Sequence, residues 1–259
     1  MKIAVTGKGG VGKTTLVSVL SKLYANEGKS VLAVDVDPDS NLGLALGFTE
    51  KDVEEITPIS KMTELISERT GATKENFGKF FKINPEVKDI PDKFAREKNG
   101  VKLLVMGTVE TGGGGCVCPE HVMLKRIISH LVVNDESLVI MDMEAGLEHL
   151  GRGTANMVDF FIVVIEPGAR SIQTYHNIRK LAADIGVKDV YVVANKIRNE
   201  ADRAFIEERI PGNDLLGFIS YNDEVIDADK KGLSPFETGE TISLEIGKIK
   251  EKIDNEETI

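Results

Sequence analysis

The run Gly7-Lys8-Gly9-Gly10-Val11-Gly12-Lys13-Thr14 constrains this chain more than any other stretch. It follows the apolar residues Ile3-Ala4-Val5 and opens a helical pattern near Lys13. It therefore satisfies G-x-x-x-x-G-K-[ST] with the preceding strand and following helix that the pattern requires. Glycines let successive backbone N–H groups turn inward around a polyphosphate, and the helix N-terminus adds partial positive charge. Lys13 is placed to reach the outer phosphates, and the Thr14 hydroxyl to ligate Mg²⁺. Gly7, Gly9, Gly10, Val11, Gly12 and Thr15 complete the expected cradle.

A strand, a glycine turn and a helix are the opening unit of a layered α/β domain, and the rest of the chain keeps that rhythm. Continuous Val/Ile/Leu runs predict strands at 2–6, 30–34, 102–106, 138–141, 160–165, 190–194 and 215–219, with helices near 13–27, 121–132, 171–181, 201–208 and 243–253. Such runs, rather than strict alternation, suit strands covered by helices on both faces. The expected fold is α/β: a doubly wound, mostly parallel sheet flanked by helices, built from residues 1–259 as one domain. Residues 48–100 break the rhythm with many charges and Pro58, Pro85 and Pro91, and are read as an irregular insertion carrying one or two helices.

Composition narrows the function classes. A net charge of −10 argues against broad affinity for nucleic-acid phosphate. No run reaches the apolar length of a membrane span, and the chain starts directly on a strand, which leaves no room for a signal peptide. A cytoplasmic protein is expected. Ile242, Ile246, Ile249 and Ile253 fall at helical spacing, but Asp254, Glu256 and Glu257 follow. Anionic lipid would repel that end, so the segment reads as a helix docked on the domain.

Ligands in open α/β sheets bind at the carboxyl ends of the strands, and polar residues stand there. Asp35-Val36-Asp37-Pro38-Asp39-Ser40-Asn41 follows the second expected strand. Its carboxylates suit the waters around Mg²⁺ and the orientation of an attacking water, or serve as caps of a proline turn. Asp142 ends another apolar strand, as a carboxylate holding Mg²⁺ through water does. His149, a lone histidine nearby, reads as structural. Asn195-Lys196 and Arg198 follow a further strand and are expected to bind the nucleotide: the Asn195 amide offers donor and acceptor together, and Arg198 is placed to pack on the base.

The two cysteines of the chain, Cys116 and Cys118, sit in a loop spanning 106–121 behind four glycines, Gly112 to Gly115. Two sulfurs cannot complete a tetrahedral site, but two chains about a two-fold axis would supply four. Free loop thiols and a redox pair are the alternatives, while a disulfide across C-x-C would be strained. His121 reads as a surface residue at the helix start.

Lys8 turns the loop into K-G-G-x-G-K-T-T, which resembles the deviant Walker A motif of the MinD/ParA/nitrogenase-iron-protein class of P-loop NTPases. That resemblance implies that Lys8 crosses a dimer interface to the partner's phosphates, and that Asp37 lies near metal-bound waters. It also implies that Asp39 activates water, that Gly146 of D-x-x-A-G sits by the γ-phosphate, and that Asn195 reads adenine. Lys8, Lys13 and Asp39 are thus the expected catalytic residues.

The deviant loop, D-x-D-P-D-S, the glycine run before C-x-C-P, and D-M-E-A-G-L-E-H-L-G-R-G-T-A together resemble the CooC-type nickel-insertion ATPases, from residue 1 to about residue 239. The resemblance implies an ATP/ADP- and Mg²⁺-dependent homodimer that binds Ni²⁺ or Zn²⁺ through Cys116 and Cys118. It implies carbon monoxide dehydrogenase as client, with no nucleic acid and no membrane insertion. Similar proteins serve acetyl-CoA synthase, and an iron–sulfur-binding, nucleotide-gated reductase of the same class is a further alternative. In that reductase class the second cluster cysteine lies in the loop after Asp142, where this chain has none.

Overall fold

The computed structural model describes residues 1–37, 40–72, 81–107, 119–134, 138–144 and 158–256. Among these residues eight strands form one sheet: β1 (Lys2–Gly7), β2 (Val31–Asp35), β3 (Arg96–Lys98), β4 (Val101–Val105), β5 (Leu138–Asp142), β6 (Phe160–Ile165), β7 (Asp189–Ile197) and β8 (Leu215–Ser220). Their order is β3-β4-β2-β5-β1-β6-β7-β8, parallel throughout except for the antiparallel β3–β4 pair. The helices are α1 (Lys13–Asn26), α2 (Leu42–Ala45), α3 (Glu50–Glu54), α4 (Thr63–Thr70), α5 (Ile90–Phe94), α6 (Pro119–Asn134), α7 (Ala169–Ile185), α8 (Glu200–Glu207), α9 (Asp223–Lys230), α10 (Pro235–Thr238) and α11 (Glu240–Glu256).

Alternating residues of every strand but β3 feed two separate cores. Ile3, Val5, Ala33, Ile140 and Ile162 face α1 and α11, whereas Ala4, Leu32, Met141 and Phe161 face α6 and α7. Burial on both faces explains why the strands read as continuous apolar runs. The chain leaves β1 for β2 toward one edge, and later passes from β5 to β6 on the other side of β1. The winding therefore reverses around β1, and the crevice beyond its carboxyl end is where such sheets take ligands.

The isoleucine stripe behaves as its spacing predicts. Ile242, Ile246, Ile249 and Ile253 are all buried against α1 and the sheet. Each contributes about 1.5–3 kcal/mol by leaving water. A polar clasp closes the same face: Lys250 Nζ lies 2.7 Å from Glu27 and 2.8 Å from Asp254, and Tyr24 donates to Asp254 at 2.9 Å. Among the described residues no helix is long and apolar enough to cross a membrane.

Among the described residues of 48–100, three short helices, a 3₁₀ turn (Ile59–Lys61) and β3 stand where one or two helices were expected. Ile59, Ile66, Val87 and Ile90 of this segment pack into the α6/α7-side core. β3 reaches β4 through Asn99-Gly100, both with positive φ (52° and 79°), the backbone of a two-residue hairpin turn. β7 also runs longer than expected and includes Asn195 and Lys196 rather than ending before them.

Candidate active site

At the end of β1 the backbone must turn sharply under β6. Gly7 has φ +151°, and a Cβ there would collide with the Val164 carbonyl. Gly12, at φ +97°, is the residue before α1, and a Cβ there would collide with Asn195 Nδ2. Only glycine fits either position. Gly9, Gly10, Gly12, Lys13, Thr14 and Thr15 then line one end of a cleft of about 590 Å³.

Two acidic strand ends, Asp35 and Asp142, meet the loop near this end of the cleft, and Asp37 lines it. Thr14 Oγ1 donates to Asp142 Oδ2 at 2.6 Å. Asp142 Oδ1 is buried without a hydrogen-bond partner. Burial pushes the Asp142 carboxyl up to about 6, against the Thr14 bond and the Lys13 charge that pull it down. Lys13 is itself buried, with Nζ 3.6 Å from Asp37 Oδ2. An orphaned carboxylate oxygen beside a threonine hydroxyl is a hard-oxygen donor set, and it fits Mg²⁺ completed by water and phosphate oxygens.

Asp35, whose role the sequence leaves open, is a strut. It is fully buried at the end of β2, where it accepts from the Asp37 and Leu42 N–H groups, both at 3.2 Å. Burial first, and the nearby Asp142 charge second, push its carboxyl up to about 7. Thr6 similarly anchors the segment after β5 by donating to the Glu144 carbonyl at 2.6 Å, and Glu144 lines the cleft.

The opposite wall comes from β7. Asn195 Nδ2 donates to the Val11 carbonyl at 2.8 Å, while its Oδ1 accepts from the Lys196 N–H at 2.8 Å. One N–H and one lone pair of the amide remain for a ligand. Lys196 Nζ donates to the Gly10 carbonyl at 2.6 Å and lies 3.4 Å from Glu166. Arg198 is not in the cleft wall; its guanidinium stacks on Tyr221, 3.8 Å from the ring centroid, and Tyr221 is the lining residue. Lys8 is exposed on the outer turn of the loop.

The far end of the cleft is apolar. It uses Leu44, Ile219, Val225, Leu233, Pro235 and Ile242, from five separate stretches of chain. Sequence reasoning missed α9 and α10. The Gly232-Leu233-Ser234-Pro235 turn was the available signal. Ser234 Oγ donates to the Ala45 carbonyl at 2.7 Å, and Glu245 of α11 accepts from the Ser220 N–H and hydroxyl at 2.8 and 2.7 Å. Asp39, Gly146, Cys116 and Cys118, with Gly112 to Gly115 and His149, lie outside the described residues.

With this geometry in hand, residues 2–236 match the model of the CobQ/CobB/MinD/ParA nucleotide-binding domain. The carbon monoxide dehydrogenase accessory protein CooC of Rhodospirillum rubrum is 48% identical over 237 residues, covering 92% of this chain and 90% of that protein. An uncharacterized ATP-binding protein of Methanocaldococcus jannaschii is 46% identical over 252 residues, 96% of each chain. Among solved structures, the MinC:MinD cell division complex of Aquifex aeolicus superposes with a TM-score of 0.68 at 17% identity, over 98% of this chain and 96% of that one. The septum site-determining protein MinD with Mg-ADP from Pyrococcus horikoshii OT3 gives 0.63 at 20% identity, over 98% and 96%. The two structural likenesses bear on the fold.

Proposed function

The chain belongs to the CobQ/CobB/MinD/ParA nucleotide-binding family and is a P-loop ATPase, and from that premise we propose that it carries nickel to an enzyme in an ATP-driven cycle. The client in this reading is carbon monoxide dehydrogenase, whose nickel–iron–sulfur cluster the protein helps to mature. The single observation that carries the proposal is 48% identity, over 92% of the chain, to an accessory protein of that enzyme.

The chain's own residues divide the work. The loop amides and Lys13 hold the phosphates, and Thr14 and Asp142 would hold Mg²⁺, which supplies charge neutralisation there. Asp37 would face the waters on Mg²⁺ when it is bound, and Asp39 orients the attacking water as general base. Asn195 reads the adenine edge with the N–H and lone pair that its loop contacts leave over. Gly146 follows the γ-phosphate and lets go after hydrolysis. Lys8 reaches the partner subunit's phosphates, so hydrolysis waits for two chains to close. Cys116 and Cys118 of both chains take Ni²⁺, or Zn²⁺, as cargo in a four-sulfur site that closure assembles.

Anaerobic titration with Ni²⁺, with and without a non-hydrolysable ATP analogue, tests this. One Ni²⁺ per dimer, appearing with the analogue and lost in a Cys116→Ser/Cys118→Ser variant, is expected by calorimetry and light scattering. Failure to bind Ni²⁺ in either nucleotide state would overturn the cargo assignment. So would an anaerobic preparation whose cysteines already hold iron and sulfide.

A further inference from the structure

Two neighbouring residues of β7 grip two neighbouring carbonyls of the phosphate loop: Asn195 holds Val11, and Lys196 holds Gly10. The Lys196 bond is unusual in what the backbone gives up to make it. Lys196 has φ +60°, and apart from Asn99 of the hairpin it is the sole non-glycine residue with positive φ among the described residues. That conformation disfavours any side chain with a Cβ. It arises at a bulge, where the β7–β8 register shifts between Ala194 and Ile197. A bulge re-aims a side chain, and here it swings the ammonium from the sheet onto the loop. Strained backbone of this kind persists only where surrounding contacts over-determine it, as the bond from its N–H to Asn195 Oδ1 does.

A peptide unit is planar, so fixing the Gly10 carbonyl also fixes the Val11 N–H on the opposite side. The bond that N–H makes inside the loop, to the Lys8 carbonyl, is long at 3.4 Å. It is therefore held in place yet only loosely committed. We propose that Lys196 is a positioning residue of the phosphate loop, presetting the amides that receive the polyphosphate, and not a reader of the base. Glu166 stands behind it at 3.4 Å, but both side chains are 41% exposed. Solvent screens that ion pair, so the operative contact is the bond to Gly10.

The inference rests on the nucleotide reading of the cleft, and the test separates the two. Affinities for ATP and for inorganic tripolyphosphate, which has phosphates and no base, are measured with Mg²⁺ by calorimetry on the full chain. Wild-type protein that bound neither would overturn the nucleotide reading itself. Given wild-type binding, Lys196→Met is expected to weaken both ligands by the same factor, roughly 10- to 100-fold for a lost bond from a charged donor. The preference for ATP over GTP is expected to stay unchanged. Glu166→Gln is expected to change either affinity less than about threefold. Lys196→Gly, which suits the positive φ, guards against a folding defect and is expected to repeat the Lys196→Met loss. Unchanged tripolyphosphate affinity in both Lys196 variants would overturn the proposal, as would a loss confined to ATP.

Discussion

The two ends of the cleft are held by different forces. At the phosphate end, Lys13, Asp35 and Asp142 are buried polar groups with polar partners: Lys13 lies 3.6 Å from Asp37, Asp35 accepts from the Asp37 and Leu42 N–H groups, and Asp142 accepts from Thr14. At the other end, Ile219, Val225, Leu233, Pro235 and Ile242 line the wall, and α11 behind them is seated by four buried isoleucines. Asp35 braces the turn after β2, whereas Asp142, with one buried oxygen unpartnered beside Thr14, is arranged for a ligand. The apolar end is continuous with the core and contributes to stability. Damage at the first end should abolish chemistry in a folded protein, and damage at the second should unfold a protein whose chemistry is intact.

The sharpest way to break this contrast is Lys13→Ala. The phosphates lose their main cation, so ATP affinity should fall about 100-fold or more. The urea midpoint of the nucleotide-free protein should hardly move. A large loss of stability would mean that the lysine supports the fold after all. Ile246→Ala is the converse. It should cost about 2–5 kcal/mol in urea denaturation by leaving a cavity between α11 and α1. At temperatures where the variant is folded, its ATP affinity should stay within a few-fold of wild type.

A smaller effect sharpens the comparison with a carboxylate outside the cleft. Asp89 is held well below the usual range by a bidentate bond from Arg69 at 2.7 and 2.9 Å, and by Lys93 at 2.7 Å. A depressed folded-state value means stability that is present above the ordinary carboxylate range and lost as pH falls below it. Arg69→Met should therefore raise the pH of acid unfolding slightly, while leaving stability at pH 4 to 7 less affected than Ile246→Ala does. No change in the acid limb would show that this pair is too exposed to matter.

The same division decided what could be read from the sequence. The phosphate end is a contiguous motif whose spacing states its geometry, and Asp142 needed only its place at a strand end. α11 was legible because its isoleucines repeat at helical intervals. The other wall was not, because it depends on pairing between distant segments. Nothing local to Asn195-Lys196 announces a bulge; it exists through the register of β7 on β8. α9 carries few apolar residues and starts where Asn222 accepts from the Glu224 N–H at 2.8 Å, a weak local cue. β3 is three charged residues long, although Asn99-Gly100 was a recognisable hairpin signal.

The packing of α11 on α1 has a consequence for synthesis. α1 carries Lys13 and Thr14 and leaves the ribosome well before α11. One side of α1 packs on the sheet early, but the side that meets α11 stays uncovered until residues 240–256 have also been made. A nascent chain therefore displays a complete phosphate motif long before it owns a finished site. Ile242 and Glu245 then arrive to close the far wall of the cleft and fix Ser220. Competence for nucleotide waits on α11, and a chain interrupted before that helix is barred from the ATP cycle by its own unfinished fold.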